Sequence, residues 1–297
     1  MAAAGLRPVI LAFLAAALWG LWWIPIRWFD ALGLTGASGG TAMNLGAFFS
    51  CLLWMMIRRE PFFLAPKAML GAACVGIAIG TYSVALNYGD VVRVILLFYL
   101  APAWSKLIEW RFLHMPWRWT STLALVAALL GAFLVLGGDI ATTGVTVGDG
   151  LAVMSGIAWS VGATLIFVNP GSARPVPLSA VSALTAALIG MLFMTVEGDW
   201  PAGGQGMLIA GGLGLGLLYV VPILALTLWS AQVLSPATLT FLLTAEILAG
   251  VISSALLLDE PFGPLRVAGA VLIVLGALSE ILPSLFGQKV DPGQGRA

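Results

Sequence analysis

Nine short polar breaks divide an otherwise apolar chain, and each interval between them is about as long as a bilayer is thick. The breaks read DALGLTGAS (30–38), RREPFFLAPK (58–67), NYGD (87–90), RFLHMPWRW (111–119), GGDIATTGVTVGD (137–149), NPGSARPVP (169–177), EGDWPAGGQG (197–206), AQVLSP (231–236) and DEPFGP (259–264). A helix needs about twenty predominantly apolar residues to cross hydrocarbon. The intervals therefore predict ten spanning helices, at 8–29, 37–57, 66–87, 91–112, 118–137, 149–168, 177–196, 206–230, 236–257 and 263–283. With 61% hydrophobic and 9% charged residues, the chain lies far from the charge content of soluble domains, about 25%. The expected fold class is an all-α polytopic membrane protein whose first partner is the lipid bilayer.

The opening, MAAAGLRPVILAFLAAALWG, resembles a signal peptide. Its apolar run continues to about Ile26, past the usual length of a signal core, so it reads as the first span. Lysine and arginine alternate between loop sets. Arg7, Arg58, Arg59, Lys67, Arg111, Arg118, Arg174, Lys289 and Arg296 form one set; Arg266, with Arg27 and Arg93 at helix ends, forms the other. The positive-inside rule places the first set and both termini in the cytoplasm. Lys106, inside the fourth span, is expected to snorkel toward that side. The tail at 288–297 is polar and is expected to be a disordered cytoplasmic extension.

The chain also repeats itself. LHMPWRWTSTLALVAALLGAFLVL (113–136) aligns with LDEPFGPLRVAGAVLIVLGALSEI (258–281) at an offset of 145 residues. IAW (157–159) matches ALW (17–19), pairing Trp159 with Trp19. GIAIG (76–80) and GLGLG (212–216) are both GxxxG and each precedes a tyrosine, Tyr82 and Tyr219. The expectation is two five-helix halves, 1–145 and 146–287. Because five is odd, the second half crosses in the opposite sense. Inverted repeats are a frequent build of secondary transporters, with the substrate site between the halves near the midplane. Duplication retained for packing alone is the bland alternative.

Charges inside the membrane are costly and default to function. Glu246 lies about eleven residues into the ninth span, whereas Lys106 and Glu109 are three apart in the fourth and can share a face. Arg27, Asp30 and Arg93 read as interfacial. Trp19, Trp22 and Trp23 share one broad face of the first span. Trp104, Trp159, Tyr82, Tyr99 and Tyr219 also stand away from helix ends, while Trp110, Trp117, Trp119 and Trp200 fit the ordinary aromatic belt. Core packing explains any one mid-span aromatic; their collection on five spans favours a shared lining. A buried indole needs a partner for its N–H, and a polar cavity would supply one. Pro25, Pro102 and Pro222 are expected to kink the first, fourth and eighth spans.

Enzyme signatures are missing. His114 is the sole histidine and falls in a break; the sequence contains no HExxH or Walker pattern. Cys51 and Cys74 both lie in apolar runs without zinc spacing. No cofactor, no nucleic-acid partner (the net charge is zero) and no ATPase subunit is expected.

Ten helices in two inverted halves, the LW early in the first span and LLLDEPFGPLRVAGAVLIVLG (256–276) resemble the EamA-type repeat of the drug/metabolite transporter superfamily. The first half departs from that pattern, with LHMP where the repeat has LGEP. The tryptophan-rich first span and NYGDVVRVILLFYLAPAW (87–104) look closest to YddG-type aromatic amino acid exporters. That resemblance implies export of aromatic and other neutral amino acids from the bacterial cytoplasm, across the inner membrane. The expected substrate-binding residues are Trp19, Trp22, Tyr82, Tyr99, Trp104, Trp159, Tyr219 and Glu246. Asn44 and Asn87 are candidates for the ammonium and carboxylate of an amino acid. A proton-coupled exporter of hydrophobic cations is the runner-up, and a scaffold without transport is the alternative of a different class.

Overall fold

The structure is a computed structural model, and it describes residues 6–61, 65–88, 91–135, 144–170, 174–257 and 263–285. Most of the breaks at 137–149 and 259–264, and the whole of the polar tail, lie outside the described residues. Among those described, every regular element is a helix.

The helical segments group into ten passes, but not ten uninterrupted ones. The first pass is α1 (Leu6–Gly20) followed by α2 (Trp23–Ala31); α3 (Ser38–Arg58) and α4 (Pro66–Tyr88) are the second and third. The fourth is split into α5 (Val91–Phe98) and α6 (Ala101–Phe112), and α7 (Trp119–Val135) completes the half. The sixth and seventh are α8 (Val147–Phe167) and α9 (Pro175–Glu197). The eighth runs α10 (Gly206–Leu215), a π-helical turn (Gly216–Val220) and α11 (Val221–Val233). The ninth is split into α12 (Pro236–Leu243) and α13 (Ala245–Leu257), and α14 (Pro264–Leu285) is the last. Six of these passes are long and apolar enough to cross a bilayer on length and composition alone. Large apolar side chains such as Phe13, Leu53, Leu130, Leu192 and Leu218 point outward, which suits a surface solvated by lipid.

Three of the four interruptions fall in the turn before a proline. Proline lacks an N–H and its ring clashes with the carbonyl four residues back. Pro25 thus loosens the chain at Leu21–Trp22, Pro102 at Tyr99–Leu100, and Pro222 within the π turn. The fourth interruption, at Thr244, has no proline. There the Thr244 hydroxyl donates to the Phe241 carbonyl at 2.6 Å. The offset of 145 residues carries Tyr99 onto Thr244, so the fourth and ninth passes break at repeat-equivalent positions.

Helix packing obeys the same exchange. The third pass packs on the sixth as the eighth does on the first; the fourth on the sixth as the ninth on the first; the third on the seventh as the eighth on the second. The fifth packs on the tenth through Gly131 and Gly269, whose absent side chains leave room for each other's backbone. The offset turns that contact into Gly276 against Ala124, which is also present. Both GxxxG motifs serve close approach: Gly76 and Gly80 lie on α9, Gly212 and Gly216 on α3.

The ends of the bundle sort with the loop charges. Arg174 pairs with Glu60 at 2.8 Å on one end, joining the second and sixth breaks. On the opposite end Gln205 donates to the Gly33 carbonyl at 2.7 Å, and Tyr88 donates to Glu197. Lys106 does not snorkel as expected. It is buried beside Glu109, with Nζ 3.3 Å from Oε2.

A methyl group at Gly46 would sit 2.1 Å from the Leu213 carbonyl oxygen, whereas one at Gly214 meets nothing within 4 Å. Gly46→Ala should therefore destabilise the purified protein by about 1–3 kcal/mol. Gly214→Ala should leave it unchanged or slightly stabilised. Thermal unfolding in detergent compares the two.

Candidate functional site

A cavity of about 570 Å³ opens between the halves. That volume lies within the range of small-molecule sites. It reaches the surface where exposed Arg27 and Gly36 stand, on the end opposite the Arg174–Glu60 pair. It ends inward at Ala101, Trp159 and Thr240.

The interrupted passes supply most of its character. Without the break at Leu21–Trp22, Trp19, Trp22 and Trp23 would stay on a single regular helix. With it, all three still line the cavity, each differently held. Trp19 donates its Nε1–H to Thr227 Oγ1 at 3.1 Å, and Trp23 donates to Ser253 Oγ at 3.0 Å. Trp159 donates to Thr240 Oγ1 at 3.1 Å. The partner of each of these indoles is therefore a hydroxyl on a neighbouring helix rather than the wet cavity expected from sequence. That arrangement leaves the ring faces free while the polar edge is satisfied. Trp22 packs 5.5 Å from Trp19 and stacks at 6.0 Å on Tyr219.

The opposite wall comes from α4 and α5. Tyr82 lies 4.7 Å from Phe98, centroid to centroid, and Phe98 lies edge-on to Tyr99 at 5.4 Å. Tyr99, the first residue after α5 ends, donates its hydroxyl to Glu246 Oε1. Glu246 stands in the first turn of α13, just after the break at Thr244, and not mid-helix as the sequence suggested. Glu246 and Arg27 are the acid and the base among the described lining residues: the acid deep, the base at the mouth. Asn44 lines the cavity too; its Nδ2 donates to the Gly40 carbonyl at 2.9 Å, and its buried Oδ1 has no partner.

Two expected lining residues are elsewhere. Trp104 is not in the cavity wall. Ala101 ends the lined face of α6, Ser105 below it is sealed against α8 and α12, and Trp104 is turned about 100° from Ser105. Tyr219 backs Trp22 from outside the wall and donates its hydroxyl to the Leu18 carbonyl, which at the end of α1 also accepts the Leu21 N–H at 3.1 Å in place of an i+4 partner. Asn87 lies in α4, and its side chain falls outside the described residues. Phe98, Ile79, Thr41 and Thr240 line the cavity without having been singled out. The offset of 145 would have flagged the break at Thr244, one turn beyond Thr240, because Thr244 maps from Tyr99. Among the described residues there is no cluster of side chains suited to hold a metal ion.

Comparison with known proteins fits this geometry. Among curated proteins there is no significant match. Twenty-eight solved chains match. One, described only as "Crystal structure of protein", superposes with a TM-score of 0.72 at 17% identity, over 94% of this chain and 98% of that one. At that identity the likeness concerns the fold alone. Residues 6–137 and again 146–279 match the EamA-like transporter family. With a repeat of that family in each half, the chain belongs to the EamA-like transporters and is a multi-pass membrane transporter of the drug/metabolite type.

Proposed function

We propose that this transporter exports aromatic and other neutral amino acids from the bacterial cytoplasm by alternating access, as YddG-type exporters do. One observation carries the reading: a cavity between the halves walled by Trp19, Trp22, Trp23, Tyr82, Phe98, Tyr99 and Trp159, with one deep carboxylate. Aromatic faces offer stacking to a flat side chain, worth roughly 0.5–1.5 kcal/mol beyond burial. Glu246 offers its charge to an ammonium, and Arg27 at the mouth offers a first contact to a carboxylate. The protein would lie in the inner membrane with both termini cytoplasmic, so the cavity would open to the periplasm.

A second reading is proton-coupled export of hydrophobic cations. The depth of Glu246 among aromatic rings, with the lining base out at the mouth, favours it. Counterflow of labelled phenylalanine, threonine and a lipophilic cation in proteoliposomes, with and without a pH gradient, separates the two. Counterflow of the amino acids supports the first reading; uptake of the cation alone, driven by the gradient, replaces it with the second.

Trp22→Ala should weaken phenylalanine counterflow several-fold more than threonine counterflow, because lost stacking matters only to the larger side chain. Trp104→Phe, outside the wall, should leave the ratio of the two rates unchanged. Glu246→Gln, at normal expression, should cut amino acid counterflow at least about tenfold, as expected when a charged hydrogen bond is lost. Unchanged rates would remove Glu246 from substrate recognition.

A further inference from the structure

The fourth and ninth passes meet along an antiparallel set of three polar rungs. Tyr99 donates to Glu246 at the level of the two breaks. The Ser105 and Thr240 hydroxyls lie 3.1 Å apart one level further in. Ser160 Oγ, 3.0 Å from Ser105, and the Trp159 indole, 3.1 Å from Thr240, join that second rung. In the third rung Glu109 Oε1 accepts the Ala237 N–H at 2.8 Å, at the start of α12, while Oε2 faces Lys106. Glu109 is 1% exposed. A buried carboxylate with a helix N-terminus on one oxygen and an ammonium beside the other is held by charge-assisted bonds. The second rung forms the cavity floor at Thr240 and Trp159, and the third lies between that floor and the arginine-rich end of the bundle.

The repeat allows a test of what this ladder is for. An exchange of the two halves moves the ladder to the other end of the molecule. It maps Ser105 onto Gly250 and Thr240 onto Ile95, and puts Ser254 in the place of Glu109. Ile95 and Gly250 both line the open cavity. They carry no hydroxyl and no carboxylate with which to close it. A symmetric fold therefore has an asymmetric fastening at the Ser105–Thr240 rung: two hydroxyls on one end, and a glycine and an isoleucine at the exchanged positions on the other.

We infer that Glu109 is a gating residue, and that the Glu109–Ala237 and Ser105–Thr240 rungs latch the arginine-rich end shut and hold the empty transporter open on the Arg27 side. The inference rests on the alternating-access reading above. Opening toward the arginine-rich end parts α6 from α12. It breaks the third rung first, since Lys106 travels with Glu109 on the same helix. Nothing equivalent at Ile95 and Gly250 holds the reverse state, so the empty protein returns to the state described here.

The test uses a single cysteine at Ile79, which lines the cavity, in the full chain with Cys51 and Cys74 replaced by alanine. A membrane-impermeant maleimide is added to one face or the other of sided vesicles. The parent should label from the Arg27 face. Glu109→Ala should raise labelling from the arginine-rich face at least about tenfold, as loss of a charge-assisted bond would, and lower labelling from the Arg27 face in step. The reciprocal fall is what a merely loosened protein would not show. Should Glu109→Ala fail to insert, Ser105→Ala with Thr240→Val removes the second rung and should shift labelling in the same sense. Labelling like the parent's from both faces, or a rise without the reciprocal fall, overturns the latch. Counterflow is measured separately: reciprocal labelling in a protein that moves no amino acid keeps the latch and rejects the substrate assignment.

Discussion

A backbone carbonyl in hydrocarbon has no water to bond. That constraint decides where this fold can be irregular. Breaks in spanning helices are tolerated only where protein or a wet cavity receives the freed groups. Here the interruptions at Leu21–Trp22, Tyr99–Leu100 and Thr244 all adjoin residues of the cavity wall, and the carbonyl of Leu18, at the first, accepts the Tyr219 hydroxyl. The irregular backbone and the site are one feature. The same constraint makes hydroxyl-bearing residues the joinery of the interior. Thr227, Ser253 and Thr240 receive indole N–H groups, and Ser155 and Ser182 donate to the carbonyls of Ala78 and Ala72 on α4, at 2.7 Å and 2.8 Å.

Much of this was legible in the sequence, for physical reasons that can be named. Hydropathy gave the passes because length and apolarity are what the bilayer selects. Proline located three of the four interruptions because its chemistry is local. The repeat was visible in paired motifs, and the helix contacts follow the exchange it implies. Glu246, Trp19, Trp22, Tyr82, Tyr99, Trp159 and Asn44 do line one cavity.

What was not legible depended on rotation about a helix axis or on distant partners. Trp104 is an aromatic at the right depth on the wrong face. Tyr219 supports the wall from behind. Lys106 looked like a side chain that would reach for water, because nothing local says that Glu109 spends one oxygen on α12, 128 residues away. The break at Thr244 carries no proline and shows itself only through its repeat partner. Position relative to a neighbour, unlike position along a helix, is set by packing that the sequence records only in aggregate.

The packing of α4 bears on how the chain assembles. Its small-residue surface is matched by α8 and α9: Gly71 lies against Gly162, and Gly76 against Ser182. Those partners belong to the other half of the chain. While the ribosome works through the residues beyond α4, lipid tails must occupy the seams later filled by 147–167 and 175–197. These close fits can form only once the second half of the chain has begun to emerge, and each forms by expelling lipid. The first five passes on their own are a template with its complement still unsynthesised.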